Sequence, residues 1–586
     1  MVFRLLKYLK KYWYAAILAP LFMVAEVAMD MLITKQMQRI IDEGIQASNA
    51  TAIKEIGLIM LLFVLAGVTA GFLSGVFANL ASCKYANDLR QDLFAKIMKL
   101  SYDQTDKFST GSLITRVTND VQVMQNFVAQ MIRMFIRSFG MFALGIIFTL
   151  TVDKRFAIIL AVALPIELLI MILFMKKAFP MFGVVQKRLD GINTVVHENL
   201  TGARVVKAFS REEYEIDRFE GANERYASVL YKINKMFSLV MPLFMLIVYG
   251  AQLAIYSIGG IAITDALNDN STPTISIGMI TQATTYIVMI VFALMQLGMV
   301  LSSVASAIAS AKRINEVLDC KLEIEDGNYD ITKKDLKGVV EFENVSFAYP
   351  LSHGNVLENI NVKINQGETI CIVGSTGCGK TSFINLINRF YDVTGGRVLV
   401  DGVDVKDYKL EDLRNIVAVC LQKSELFAGT IKENVRWGKE DATDEEIKKA
   451  CDIAQASEFI ISKKGQYDEY IEEKGTSLSG GQKQRISIAR AIIKHPEILI
   501  FDDSTSALDL VTEAKLYKAM KENINDVTRI VVAQRIATAK NADKIIVLEG
   551  GQIVAFDTHE NLLKSCDIYK DIYDSQQRRG DDIDGN

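Results

Sequence analysis

Residues Gly374 to Thr381 read GSTGCGKT, a run of glycines and small polar residues that ends in a lysine and a threonine. Glycine permits backbone conformations that turn successive N–H groups toward one point, where they can donate hydrogen bonds to phosphate oxygens. Lys380 can reach the β and γ phosphates of a nucleotide, and the Thr381 hydroxyl can hold Mg²⁺. The pattern therefore predicts a loop that binds ATP together with Mg²⁺.

The residues around this loop support that prediction. A strand-like run, ETICIV, precedes the loop, and an amphipathic helical pattern follows it, so a helix N-terminus adds positive potential at the phosphates. A second apolar run, Ile498 to Phe501, delivers Asp502 to its carboxyl end, where the carboxylate can reach the metal through water. The nucleotide contacts expected from the loop are Gly374, Ser375, Thr376, Gly377, Cys378, Gly379, Lys380, Thr381 and Ser382.

A further motif lies between Lys380 and Asp502, where the spacing leaves room for an inserted subdomain. Leu478 to Gln482 read LSGGQ ahead of a helical pattern, and a serine hydroxyl with two small residues at a helix N-terminus forms another phosphate-binding end. This run resembles the signature motif of the ATP-binding-cassette (ABC) proteins. The signature residues that the resemblance assigns to the nucleotide are Ser479, Gly480, Gly481 and Gln482.

The resemblance implies roles for other residues in the same chain order. Tyr349, in SFAYP, resembles the aromatic residue that stacks on adenine. Gln422, in CLQKSELFAGTIKENV, resembles the glutamine whose loop links the nucleotide to the membrane domain. Ser506 to Asp509 resemble the D-loop. The metal ligands implied are Thr381, Gln422 and Asp502.

Long apolar stretches occupy the first half of the chain, near residues 13–34, 56–80, 132–152, 156–175, 237–263 and 275–303. Each can cross roughly 30 Å of hydrocarbon as a helix. Mean hydropathy is +0.21, yet 23% of residues are charged, which indicates apolar blocks joined to a soluble domain. We therefore expect a multidomain protein with an all-α six-helix transmembrane domain over residues 1–325 and an α/β P-loop ATPase domain over residues 326–586.

Lysine and arginine set the expected orientation in the membrane. They are frequent in residues 1–12, 81–131 and 176–236, and absent from residues 264–274, which places the termini and both long loops in the cytoplasm. Apolar residues recur at helical spacing in both loops, so the membrane helices should extend well into the cytoplasm. The seven cysteines then face a reducing compartment, where a disulfide framework is not expected. The predicted location is the cell membrane, with multiple spans.

The charge balance and the six spans narrow the function. A net charge of −4 lacks the basic excess of an electrostatic nucleic-acid binder, so no nucleic-acid partner is expected. A DNA-repair or translation ATPase with the same signature would lack the six spans. An ATP-gated channel stays open as an alternative, which net transport against a gradient would exclude.

The membrane half resembles the exporter type of the ABC family. The similar segments are GSLITRVTNDV at 111–121 and ENLTGARVVKAFSREE at 198–213, one in each cytoplasmic loop. In that family, short coupling helices in these loops touch the nucleotide-binding domains, and two such domains meet head to tail around each ATP. One chain cannot complete a site, so the resemblance implies a second half-transporter as partner.

Two residues depart from the family pattern at the phosphate-loop face. Asp503 stands where the family has a glutamate that acts on the attacking water, and its carboxylate is one methylene shorter. Gln534, in VVAQRIAT, stands where the family has the switch histidine; glutamine can donate a hydrogen bond to the γ-phosphate but cannot become a cation. With the signature intact, this pattern resembles the degenerate-site subunit of heterodimeric bacterial multidrug exporters, whose partner carries the catalytic glutamate and the switch histidine. A slow homodimer is the alternative.

Three acids within the predicted spans are candidates for contact with cargo. Glu26 and Asp30 lie four residues apart on one helix face, and Glu167 lies in the fourth span. Ionisable groups in a bilayer are costly and normally face a cavity or a partner charge. They would serve a cationic or protonatable amphiphile, or else pair structurally with a neighbouring helix. The expected function is ATP-driven export of varied amphiphiles, with a lipid or lipid-linked glycan flippase as the alternative.

Overall fold

The structure is a computed structural model that describes residues 2–269, 272–329, 331, 336–349, 352, 354–533 and 535–584. The chain divides into two compact units, Met1–Met98 with Gly111–Cys320 and Lys99–Thr110 with Lys321–Asn586. The predicted domain limit at residue 325 lies close to the second point of division and stays a prediction.

The first half of the chain is helical throughout. Its helical segments are α1 (Val2–Gln46), α2 (Ala50–Ile97), α3 (Tyr102–Phe108), α4 (Thr110–Val152), α5 (Lys154–Thr201), α6 (Ala203–Ala208), α7 (Glu212–Asn268) and α8 (Ile277–Leu318). Among the described residues, six of them, all except α3 and α6, are long and apolar enough to cross a membrane. The predicted six-span membrane protein is confirmed.

The lengths of these helices confirm that they continue beyond the bilayer. Segments α2 and α5 each have 48 residues, which at about 1.5 Å per residue gives a length of about 70 Å. A hydrocarbon core is only about 30 Å thick. More than half of each helix therefore extends outside the apolar region.

A buried carboxylate joins two of these helices at one end of the first unit. Asp120 of α4 is fully buried and accepts hydrogen bonds from Ser310 Oγ at 2.9 Å and Arg313 Nε at 2.8 Å, both on α8. A second Arg313 nitrogen also donates to it. Nearby, Arg116 Nη1 of α4 lies 3.0 Å from Glu316 Oε2 of α8. These ion pairs fix the register of α4 against α8.

The second unit is built on two main sheets and a short two-stranded one. The strands are β1 (Val340–Phe347), β2 (Leu357–Ile364), β3 (Thr369–Gly374), β4 (Gly395–Val400), β5 (Val403–Asp404), β6 (Val417–Cys420), β7 (Gly429–Thr430), β8 (Tyr470–Ile471), β9 (Ile498–Asp502), β10 (Thr528–Val532), β11 (Lys544–Glu549) and β12 (Gln552–Asp557). The order β2-β1-β4-β5 forms an antiparallel sheet, β7 pairs with β8, and β12-β11-β3-β10-β9-β6 forms a sheet that is parallel except at β12.

The helices of this unit cover the sheets and form the segment between β6 and β9. They are α9 (Lys380–Ile387), α10 (Leu410–Ile416), α11 (Ile431–Arg436), α12 (Asp444–Ile453), α13 (Ser457–Ile461), α14 (Gly480–Ile492), α15 (Leu510–Asn523), α16 (Ile536–Ala539), α17 (His559–Ser565) and α18 (Asp567–Asp584). Four of them, α11 to α14, belong to the insertion that the sequence predicts. The α/β fold of the second half is confirmed.

Both faces of the parallel sheet are covered. In β3, Cys371 and Val373 contribute to one buried apolar cluster, whereas Ile370 and Ile372 contribute to another. Side chains alternate between the two faces of a strand, and strands covered on both faces read as continuous apolar runs. This explains why the sequence shows no polar alternation here.

The short helix α3 belongs to the second unit, although it lies between two membrane helices in the chain. Its Tyr102 ring packs against the rings of Phe390 and Tyr391, with centroid separations of 4.8 and 6.3 Å. Gln104 Nε2 donates to the Lys321 carbonyl at 2.6 Å. The short helix of the first loop, α3, is thus separate from the 111–121 run that the sequence singled out, because that run lies within α4. In the second loop, α6 lies within the 198–213 run, and its contact with a partner chain stays a prediction.

We expect Asp120→Asn to destabilise the first unit by about 2 kcal/mol. The Arg313 guanidinium would lose its buried anionic partner, and the new amide nitrogen would face N–H donors. The apparent melting temperature of the purified chain in detergent measures this loss. Glu198→Gln is the matched control, since Glu198 pairs with Arg218 at a half-exposed site, where such pairs are worth less than about 1 kcal/mol. Equal shifts in the two variants would contradict the structural role of Asp120.

Candidate functional site

The predicted phosphate loop connects β3 to α9. Gly374 has φ +156° and Gly379 has φ +102°, conformations that residues with a side chain rarely adopt. A Cβ at Gly374 would lie 2.1 Å from the Leu548 carbonyl oxygen, and one at Gly379 would lie 2.8 Å from Leu357 Cδ2. The positive φ disfavours a side chain at either glycine, and at Gly374 the Leu548 backbone also leaves no space for one.

Lys380 is held across this loop. Its Nζ donates to the carbonyl oxygens of Gly374 at 2.9 Å and Ser375 at 2.7 Å. Ser375 Oγ in turn donates to Glu549 Oε2 at 3.1 Å. The ammonium group thus lies within the loop, at the position from which it can reach phosphate oxygens.

Two of the three residues predicted to bind metal, Thr381 and Asp502, are adjacent. Thr381 Oγ1 donates to Asp502 Oδ1 at 3.2 Å, and Asp502 is buried at the end of β9. Burial raises the pKa of the Asp502 carboxyl, and the hydrogen bond from Thr381 opposes that rise. Because little water surrounds this carboxylate, a nearby cation would strongly stabilise its ionised form.

The donor set here fits Mg²⁺. This ion prefers oxygen ligands and is usually bound by one or two protein groups together with substrate phosphates and water. Thr381 and Asp502 would hold it beside the phosphate loop, with the Gln422 amide oxygen as a further ligand. When bound, the ion would neutralise charge on the β and γ phosphates. The described residues contain no cluster of three His, Cys, Asp or Glu side chains able to hold a metal without a phosphate.

Asp503 follows directly and lies against the predicted glutamine. Gln422 Nε2 donates to Asp503 Oδ2 at 3.3 Å, and Asp503 itself is buried with φ +49°, in the left-handed region. Aspartate is one of the few residues with a side chain that enters this region readily. Gln534 lies outside the described residues.

Tyr349 lies beside the phosphate loop, where its hydroxyl is 2.9 Å from Ser382 Oγ. Its ring contacts those of Phe347 and Tyr391, with centroids 4.8 and 5.2 Å away. Phe347 and Tyr391 hold the Tyr349 ring in position, and a planar base could stack on the part of the ring that they do not contact. Its stacking on adenine stays a prediction.

A cavity of about 850 Å³ connects these groups. It is lined by the predicted residues Tyr349, Gly374, Ser375, Thr376, Gly377, Gly379, Lys380, Thr381, Ser382, Gln422, Asp502 and Asp503. Cys378 is buried behind the loop. The structure therefore brings together almost every described residue that the sequence assigns to the phosphate-loop side of the site.

The signature residues lie elsewhere. Among the described residues that line the cavity, none comes from Ser479 to Gln482. Ser479 is the N-cap of α14: its Oγ accepts from the Gln482 N–H at 3.4 Å, and Gln482 Oε1 accepts from the Ser479 N–H at 3.1 Å. In the D-loop, Asp509 caps α15 by accepting from the Thr512 N–H and hydroxyl at 2.9 and 2.7 Å. Both motifs begin helices, and neither reaches this chain's own phosphate loop.

Sequence reasoning missed a buried acid that joins the D-loop to the residues after the switch position, 535–540, which together with position 534 are called the switch segment. Glu513 of α15 accepts from Thr505 Oγ1 at 2.9 Å, Thr538 Oγ1 at 2.8 Å and Arg535 Nη1 at 3.0 Å. The Arg535 guanidinium also donates to the Ser506 carbonyl at 3.1 Å. The sequence did contain a signal for the burial of this acid. Glu513 lies at helical spacing from Leu516 and Met520, on the buried face of α15.

The cargo candidates separate into two kinds. Arg137 Nη2 lies 3.4 Å from Glu26 Oε1 and 3.8 Å from Asp30 Oδ2, as the structural alternative for these two acids requires. Glu167 is fully buried, and neither of its carboxylate oxygens has a hydrogen-bond partner among the described residues. Of the three, Glu167 combines full burial with two unsatisfied carboxylate oxygens, as expected of a group that binds a cationic ligand.

Comparison with known proteins decides the family. Residues 16–294 match the model of the ABC transporter transmembrane region, and residues 357–506 match the ABC transporter model. The YfiB protein of Bacillus subtilis, an uncharacterized ABC transporter ATP-binding protein, is 37% identical over 572 residues, which cover 97% of this chain and 98% of YfiB. The chain belongs to the ABC transporter family. Because it carries one membrane region and one ATPase domain, it is a half-transporter.

Relatives with more informative names are also similar to this ABC half-transporter. An ATP-dependent lipid A-core flippase of Desulfotalea psychrophila is 35% identical, with 83% of this chain and 84% of the flippase covered. A Bacillus subtilis protein provisionally named as a multidrug export ATP-binding/permease protein, YgaD, is 31% identical, with 98% and 99% covered. The solved structure of a bacterial Atm1-family ABC exporter with ATP bound superposes with a TM-score of 0.77 at 24% identity, covering 97% of this chain and 98% of that one. This last likeness establishes the exporter fold.

We expect Asp502→Asn to weaken the binding of Mg²⁺ with ATP by about tenfold or more, while ATP binding without metal persists. The fold should tolerate the change, because burial already favours a neutral group at this position. Mg²⁺ titrations of the purified chain with a bound fluorescent ATP analogue measure the effect. Asp526→Asn, at an exposed loop acid, is the control, and an unchanged Mg²⁺ requirement in Asp502→Asn would refute the assignment.

Proposed function

We propose that this half-transporter is the degenerate-site subunit of a heterodimeric exporter that moves amphiphilic drugs or other xenobiotics outward from the cytoplasm or inner leaflet. The observation that carries the proposal is Asp503 beside an otherwise complete phosphate loop. In this view Asp502 and Thr381 hold Mg²⁺, Asp503 and Gln534 occupy the catalytic positions, and the signature at 479–482 serves the partner's ATP.

The position of Asp503 supports slow hydrolysis at this chain's own site. A general base must lie within about 3 Å of the water that it activates, and a displacement of about 1 Å can cost on the order of a hundredfold in rate. The Asp503 carboxylate is one methylene shorter than glutamate, and the Gln422 amide holds it at 3.3 Å. Asp502 separately accepts from Thr381 Oγ1 at 3.2 Å, which supports an intact metal site beside a base of shorter reach.

The placement of the signature supports the need for a partner. Ser479 begins α14 outside the cavity that contains Lys380, so an ATP held by this phosphate loop would receive its second wall from another chain. By the same geometry, the signature of this chain would close a site on the partner's phosphate loop. An intact signature opposite a degenerate phosphate-loop face is the arrangement expected of an unequal pair.

A cavity in the first unit supports an apolar cargo with an aromatic or cationic part. It has a volume of about 640 Å³ and is lined mainly by aromatic and methionine side chains. The Phe237 ring lies 4.9 Å from the ring of Phe174 and 6.3 Å from that of Phe182. Flexible thioethers adapt to varied ligands, and aromatic faces attract cations. A large lipid-linked glycan would require a different surface, although the flippase among the relatives keeps lipid as the second candidate.

Slow hydrolysis by the chain alone is the first expected outcome for this proposal. In lipid nanodiscs, the chain without a partner should show weak ATPase activity. The double variant Asp503→Glu, Gln534→His should raise that rate by on the order of a hundredfold, because it restores the reach of the base and a group that can carry charge.

With the partner half added, Asp503→Ala should reduce turnover modestly, whereas replacing the partner's catalytic glutamate should nearly abolish it. Strong activity from the unmodified chain alone, or equal losses in the last two variants, would refute the unequal pair.

Glu167 provides a test of the cargo. We expect Glu167→Gln to slow the uptake of a fluorescent organic cation into inside-out vesicles by about tenfold, the loss of roughly 1.4 kcal/mol of attraction. Uptake of a neutral dye of similar size should be unchanged. Asp190→Asn, an exposed acid on the same helix α5, is the control. Equal slowing of both dyes would assign Glu167 to structure, and translocation of a labelled lipid in place of either dye would favour the flippase.

A further inference from the structure

The C-terminal helix α18 forms part of the wall of the nucleotide cavity. Besides the phosphate loop and the ends of β9 and β10, the cavity is lined by Ile568, Asp571, Ile572 and Gln576 of this helix. None of the sequence motifs of the ATPase domain includes these residues. A helix that follows the last strand of the ATPase domain therefore returns to the site of the chemistry.

The helix is firmly attached to the domain. Tyr569 is fully buried in the apolar core, and its hydroxyl lies 2.7 Å from His559 Nδ1 of α17. On the next turn, the Lys540 ammonium lies 4.9 Å from the centroid of the Tyr573 ring, within the range of a cation–π attraction. These contacts fix the position and rotation of α18, so the direction of Gln576 is determined.

Gln576 makes a hydrogen bond to the backbone of the switch segment. Its Oε1 accepts from the Ile536 N–H at 2.9 Å. Ile536 begins α16, and the first N–H groups of a helix have no partner within it. The preceding residue, Arg535, offers no side-chain cap to them. Gln576 therefore supplies from another helix the acceptor that the chain sequence around α16 does not provide.

The switch segment is thus held from two directions. Arg535 bonds to Glu513 and to the Ser506 and Leu508 carbonyls on the D-loop side, while Ile536 bonds to Gln576 on the side of α18. Position 534 directly precedes these two anchored residues in the chain. These bonds fix the backbone of Arg535 and Ile536 beside the nucleotide cavity, and a response of this segment to a γ-phosphate depends on such placement.

We propose that Gln576 is a positioning residue for ATP hydrolysis at this chain's own phosphate loop, acting through the Ile536 N–H. The proposal rests on the ATP site proposed above. It concerns the response of the switch segment to the γ-phosphate and is independent of how fast that site turns over.

Hydrogen exchange tests this role on the full chain in lipid nanodiscs. In the unmodified chain, peptides covering residues 533–540 should exchange more slowly with Mg-ATP than with Mg-ADP. Gln576→Leu, which keeps a similar volume but removes the acceptor, should abolish that difference, while the affinity for Mg-ATP changes by less than about twofold. Gln576→Glu, whose carboxylate still accepts the N–H, should retain it. Ser575→Ala is the control, since Ser575 is exposed and its hydroxyl donates to the Ile572 carbonyl of its own helix.

The rate of ATP hydrolysis gives the second readout. Gln576→Leu should lower kcat by about tenfold with little change in KM, and Gln576→Glu should restore it. Equal losses in the two variants, or no difference between ATP and ADP in the unmodified chain, would overturn the proposal. Rapid hydrolysis by the unmodified chain would refute the degenerate site but leave the comparison among Gln576 variants decisive.

Discussion

Parallel strand register is the constraint on which the ATP site depends. Strand β10 pairs with β3 on one side and with β9 on the other, so that Val532 lies opposite both Ile372 and Asp502. The phosphate loop, Asp502 and the residues that follow β10 all leave the sheet at this edge. Ligands bind at the carboxyl ends of parallel strands because loops of different chemistry converge there. A shift of one residue in this pairing would reverse every side chain and remove Asp502 from Thr381.

Buried acids connect separate elements of the protein. Asp120 joins two long helices through Arg313, and Glu513 joins the D-loop to the switch segment through Arg535. A buried carboxylate is costly unless several donors satisfy it, and breaking one contact leaves the others inadequate. Segments linked in this way tend to move as one body. The acid at 513 therefore couples the loop that is expected to reach the partner to the loop that is expected to sense the γ-phosphate.

Much of this fold could be read from the sequence, because the signals are local. Span length, strand–loop–helix order and the GSTGCGKT run each predict structure from neighbouring residues, and the structure confirms the six spans and the α/β domain. The roles of Glu513 and Gln576 depend on partners 25 and 40 residues away, and the pairing of Arg137 with Glu26 depends on how two spans pack. Neither spacing nor composition determines such contacts. Residue type alone likewise gave no means of separating Glu167 from Glu26 and Asp30, which both lie near Arg137.

The hydroxyl of Ser479 has a consequence for which residues this position accepts. As an N-cap it uses its oxygen to accept from the Gln482 N–H, and in the proposed pairing of two chains its hydrogen would be donated to a phosphate of the partner's nucleotide. Aspartate caps helices equally well, but its charge would repel that phosphate and it has no hydrogen to give. Alanine would lose both bonds. A hydroxyl performs both tasks through one small group, which favours serine at position 479 and, where its extra methyl fits, threonine; asparagine can also accept and donate, but only through a larger planar amide.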